Sequence, residues 1–139
     1  MKLRLLTKKR FRVASIAEKA DSVETFLYES SMQWPAHAKG CYALFERYAE
    51  YGRDGMTTDW FHEANKQSGI WQFIKGRLRV YCFMDDGDLV ILTHGSVKKT
   101  QKADPKQIER AVAQKAQYER DKALNKITFL ENDDEQAGS

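Results

Sequence analysis

Arg77, Arg79 and Tyr81 alternate along one side of an apolar run, Lys75 closes the segment before it, and His94, Lys98, Lys99 and Lys102 follow the segment after it. Period-two alternation sends Leu78, Val80, Cys82 and Met84 one way and Arg77, Arg79, Tyr81 and Phe83 the other. One face of this strand is expected to pack and the other to carry charge. Arginines on one side of an antiparallel strand are ordinarily just its solvated face. Here an aromatic ring shares that face, and neighbouring strand ends would bring the lysines alongside. A cationic surface with an aromatic ring suits a nucleic-acid backbone and its bases.

The elements that must position these groups follow from pattern and punctuation. Phe11 and Val13 alternate with Arg10 and Arg12 as a first strand, which Leu3, Leu5 and Leu6 extend or precede. Asp21 with Glu24 three residues on forms a capping box for a helix whose buried stripe is Val23, Phe26 and Leu27. Pro35 suits the first turn of a second helix, in which Cys41, Leu44, Phe45 and Tyr48 repeat at helical spacing and Gly52 and Gly55 mark the end. Residues 56–68, Trp60 and Phe61 included, read as a helical turn or loop. Strands are expected at about 70–74, 78–84 and 89–93, the last two joined by Asp85-Asp86-Gly87-Asp88. Asp104 and Pro105 cap a final helix that turns Ile108, Ala111, Val112 and Lys115 inward. The order is β-α-α-β-β-β-α, an α+β fold with a small antiparallel sheet packed against helices.

A chain of 139 residues is the size of one domain, and its 42% hydrophobic content, with seven Phe, six Tyr and three Trp, argues for a folded core. Net charge is only +3, but it is unevenly spread: residues 1–20 carry +6, 21–69 carry −4, 70–122 carry +4 and the remainder −3. Two basic blocks of this kind point toward a polyanionic partner. From Glu131 the chain is acidic and polar, and a mobile tail is expected over 131–139. Cys41 and Cys82 each sit in an apolar pattern and read as small buried hydrophobes. His37, His62 and His94 have no zinc-like spacing, so neither metal nor other cofactor is expected. With no apolar run long enough to span a membrane and no signal-peptide centre near Met1, a cytoplasmic protein is expected.

The run from Gly69 to about Tyr118 resembles the phage-derived branch of the RelE/HigB-type toxins of bacterial toxin-antitoxin pairs. The resemblance rests on a Gly-Ile-Trp-Gln-Phe strand, a Leu-Arg-Val-Tyr strand and a His-Gly-x-x-Lys-Lys-x-x-Lys segment before the final helix. It implies a RelE-like α+β fold and a ribosome-dependent endoribonuclease that cleaves mRNA, neutralised by a small helix-turn-helix antitoxin. In such cleavage the ribose 2′-hydroxyl attacks the adjacent phosphate, which calls for a proton acceptor, positive charge for the phosphorane and a donor for the leaving oxygen. Arg79 falls on the family's strand arginine, and Lys98 and Lys99 fall on its basic segment. Lys75, Arg77 and Lys102 are nearby RNA-binding supports, and Tyr81 is a stacking group or proton donor. No tyrosine opens the last helix and no histidine stands near the C-terminus, where some relatives place theirs. His94 is the remaining candidate base, because imidazole titrates near neutrality; a structural turn histidine is the competing reading. Two further functions stay open: a gyrase-inhibiting toxin of the same fold, like the ParE-type relatives, and a phage-derived binding module without activity.

Overall fold

Two strands, not one, precede the first helix. In the computed structural model, which describes residues 1–17 and 20–130, β1 (Lys2–Lys8) and β2 (Arg12–Ile16) form an antiparallel hairpin. The helices α1 (Val23–Ser30) and α2 (Pro35–Tyr51) follow, then β3 (Phe61–Asn65), β4 (Ile70–Lys75), β5 (Leu78–Met84) and β6 (Leu89–Val97), the helix α3 (Pro105–Ala123) and a short β7 (Thr128–Leu130). The expected α+β class holds. The sheet, however, is mixed and seven-stranded, in the order β3-β4-β5-β6-β2-β1-β7, with β2 parallel to β6 and β7 parallel to β1. The parallel contact arises because two helices and a meander separate β2 from β6, and such a long connection can return the chain in the same direction. The expected tail over 131–139 lies outside the described residues.

Helix boundaries are close to those the sequence predicts. The cap of α1 is Ser22, whose Oγ accepts from the Thr25 amide at 3.2 Å, one residue later than the expected Asp21. Pro35 opens α2 and Gly52, at φ +72°, ends it, where an L side chain would be strained. For α3 the Asp104 carboxylate accepts from the Lys106 amide at 2.9 Å and Pro105 occupies the first turn. Ala111, Gln114 and Tyr118 form its buried stripe, with Ile108 beside it. Val112, expected inward, is exposed, and the Lys115 ammonium reaches over to the Ser68 carbonyl at 2.8 Å.

Helices cover both faces of the sheet. Under α1 and α2 lie Val13, Phe45, Tyr48, Phe73, Val80 and Cys82; under α3 lie Leu3, Ile16, Ile70, Tyr81, Phe83 and Ile91. The side of β5 expected to carry charge is therefore covered: Tyr81 and Phe83 pack beneath α3, and even Arg79 is only 2% exposed. Within β5 alternation groups Arg79, Tyr81 and Phe83 on one face as expected, but that face meets a helix and not solvent, and Arg77, in the turn before the strand, does not share it. Cys41 and Cys82 are buried free thiols. Burial pushes the Cys41 thiol up to about 12 against a smaller opposing effect of Lys75, so it stays protonated and apolar.

One polar tie fastens α3 to the β5–β6 turn. The Tyr118 hydroxyl donates to Asp85, and Lys122 Nζ donates to its two oxygens at 2.8 and 3.0 Å. Burial acts to raise the Asp85 carboxyl, but the hydrogen bonds from Lys122, Tyr118 and the Asp86 amide outweigh it and hold the group below the usual carboxylate range. A carboxylate depressed by folding contributes stability above its unfolded value, near 3.9, and that contribution is lost as pH falls through the lower folded value. Asp85→Asn is therefore expected to be less stable than wild type at pH 7, with the difference shrinking below about pH 4. Denaturant titrations from pH 7 to pH 3 check this; a deficit that does not change with pH would contradict it.

Candidate nucleic-acid interface

The site grows out of the β5–β6 pair. Arg79 stands opposite Ser96 and Tyr81 opposite His94, after which the register slips so that Cys82 faces Leu92 and Thr93 is the extra residue. Such a bulge re-aims side chains at a sheet's functional end. Here it leaves the Tyr81 and His94 rings stacked, with centroids 5.0 Å apart and 23° between planes. The Thr93 hydroxyl donates to the Tyr81 carbonyl at 3.2 Å. Gly95 lets α1 come close on the other face, since a Cβ there would lie 2.2 Å from the Phe26 ring.

Beyond Val97 the chain leaves the sheet. The Lys98 amide donates to the Arg77 carbonyl at 2.6 Å, and a loop then runs to Asp104 at the start of α3. This loop folds over Arg79, whose Nη2 donates to the Thr100 and Gln101 carbonyls at 2.6 and 2.8 Å while Nη1 donates to Gln72 Oε1 at 3.0 Å. Between loop, strands and helix is a cavity of about 660 Å³. Arg79 and Tyr81 wall it from β5, Ser96 and Val97 from the end of β6, Lys98, Lys99, Thr100 and Lys102 from the loop, and Gln107 and Arg110 from α3.

Its charge is one-sided. Five cationic side chains line it against a single carboxylate, Asp104, which already caps α3. Arg110 is tied to Asp21. Lys99 and Lys102 are exposed, Lys98 is half-buried, and no carboxylate among the described residues pairs with any of the three. A concave, partly enclosed site with uncompensated positive charge concentrates anions, because field lines from nearby cations are less screened there than on an open surface.

Of the residues singled out in the sequence, the cavity brings together Arg79, Tyr81, Lys98, Lys99 and Lys102. It does not bring in three others. Lys75 lies along α2, where a Cβ on Gly40 would be 2.6 Å from its Cγ. Arg77 places its guanidinium 5.7 Å from the Trp34 ring centroid, and its amide donates to His37 Nδ1 at 3.1 Å. His94 is buried behind Tyr81, its Nε2 donating to Gln107 Oε1 at 2.8 Å. Gln107 and Arg110 were missed. Their signal was available: from the Asp104 cap they stand three and six residues along, on the side of the first two turns that faces the strand ends. Among the described residues no three of His, Cys, Asp and Glu stand close enough together to hold a metal ion, and no described helix is long and apolar enough to cross a membrane.

The arrangement defines a small α+β protein with a cationic cavity at one end of a sheet. The sequence model of the family described as "Phage derived protein Gp49-like (DUF891)" matches residues 35–116, more than half of the chain, and the chain belongs to that family. The matched span contains α2, the whole β3–β6 meander and every residue that lines the cavity. No curated protein matches the chain.

Proposed function

We propose that this protein is the toxin of a toxin-antitoxin pair and that it cleaves mRNA bound to the ribosome. The observation that carries the reading is the cavity in which Lys98, Lys99 and Lys102 stand beside Tyr81, none of them paired with a carboxylate among the described residues; membership of a phage-derived family supports it. The lysines meet the phosphates around the scissile bond and stabilise the charge that develops when the 2′-hydroxyl attacks. The Tyr81 ring is buried and already stacked on His94, so the part of it that can serve is the hydroxyl, 3.5 Å from Ser96 Oγ, as a proton donor to the leaving oxygen. His94 keeps Tyr81 and Gln107 in place from behind. A small helix-turn-helix antitoxin that offers acidic and apolar groups to the lysine loop would silence the site.

Induced expression without a partner is expected to stop growth through loss of protein synthesis, read by pulse labelling. Arrest of DNA replication with translation intact would instead favour a gyrase inhibitor of the same fold. No arrest at all would favour a binding module without activity.

A further inference from the structure

A directional chain of hydrogen bonds crosses three strands and ends on the lysine loop. His62 in β3 has Nδ1 2.8 Å from the Thr58 carbonyl, and because a carbonyl only accepts, the ring proton sits on Nδ1. Nε2 is left to accept from Gln72 Nε2 at 3.0 Å in β4. That fixes the carboxamide of Gln72 the other way round, with Oε1 toward Arg79 Nη1 at 3.0 Å in β5. Arg79 Nη2 then grips two consecutive carbonyls, Thr100 and Gln101. Gln72 and Arg79 are each 2% exposed.

Both N–H groups of Nη2 and one of Nη1 are thus committed inside the protein. All three acceptors are neutral, so no carboxylate offsets the guanidinium there, and only two of its five N–H groups, one on Nε and one on Nη1, remain for a ligand. The loop it holds has no helical or strand hydrogen bonding and carries three lysines that repel one another.

We propose that Arg79 is a positioning residue for the RNA phosphodiester rather than its ligand. It is a clasp that sets the shape of the Lys98–Lys102 loop, held in turn by Gln72 and His62. This rests on the reading of the cavity as an RNA-cleaving site. The lysines then touch the phosphates, and the relay decides where the lysines stand.

Two comparisons test it, each read by cleavage of ribosome-bound mRNA and by the rate at which trypsin cuts the folded protein after Lys98, Lys99 and Lys102, which rises when the loop is released. Arg79→Lys keeps the charge but its ammonium cannot span the acceptors from Gln72 to Gln101. It is expected to be as damaged as Arg79→Ala, with kcat down by about 10²-fold, KM little changed and the loop cut faster. Gln72→Leu, close to isosteric and outside the cavity, should speed the same cuts and lower kcat in the same way. Gln72→Glu still accepts from Arg79 and should restore both. Arg79→Lys retaining much more activity than Arg79→Ala with an undisturbed loop would make Arg79 a direct phosphate ligand and overturn the clasp. So would Gln72→Leu leaving the loop as resistant to trypsin as in wild type. If the wild-type protein does not cleave RNA, the cavity reading fails, while loop proteolysis in the same variants still decides the clasp.

Discussion

Replacing Lys98, Lys99 and Lys102 together by alanine is expected to lower RNA cleavage by about 10²-fold or more while leaving the fold intact. The fold should survive because the three side chains stand on a loop and enter no side-chain hydrogen bond or ion pair among the described residues. Activity should fall because removing fixed positive charge from the place where phosphorane charge develops acts on the transition state, not on the ground state alone. The same variant should bind a single-stranded oligoribonucleotide with a flatter salt dependence. Losing three phosphate contacts reduces the slope of log K against log salt by about 2. Binding titrations at several salt concentrations give the slope; an unchanged slope would mean that the RNA backbone runs elsewhere.

The largest loss of stability is expected from Phe73→Ala. Phe73 is fully buried at the centre of β4 and packs its ring against Phe61, Phe45 and Tyr48, with centroids 4.7, 5.1 and 5.9 Å away. Truncation removes the transfer free energy of the ring and leaves a void that three other rings cannot close without leaving their rotamers, a cost of about 3–5 kcal/mol. Chemical denaturation should show a large fall in midpoint with little change in slope. A change below about 1 kcal/mol would mean that the sheet can collapse onto α2 far more readily than close packing allows.

Much of this architecture could be read from residue order because the relevant signals are local. In α2 the spacing of Cys41, Leu44, Phe45 and Tyr48 and the bounding Pro35 and Gly52 lie within one element. The Asp85 to Asp88 turn and the Asp104-Pro105 cap are equally self-contained. Strand β3 was not legible because only Phe61 of its five residues is buried, and a single apolar residue sets no period. Strand β7 has three mostly exposed residues and depends on β1 for its existence. At the site, Tyr81 and the lysines were found because they crowd one stretch of chain. Arg77 was placed wrongly beside Arg79, since alternation applies inside a strand and Arg77 lies in the turn before Leu78. The burial of Arg79 could not be anticipated, because it depends on Gln72 from another strand and on two loop carbonyls.

The parallel contact between β2 and β6 has a kinetic consequence. It pairs Arg12 with Leu89 and Ser15 with Leu92, so more than half the length of the chain lies between the partners. Closing so long a loop is entropically unfavourable before any contact can offset it, whereas the β3–β6 meander joins neighbours through short turns. The meander is therefore expected to form early and the N-terminal hairpin to dock on it late. Of the groups that line the cavity, those from Arg79 to Val97 belong to the meander and those from Lys98 to Arg110 follow it directly in the chain, so none comes from the N-terminal hairpin. The cationic site is thus expected to assemble from contacts between near neighbours in the chain, with docking of the N-terminal hairpin adding stability afterwards.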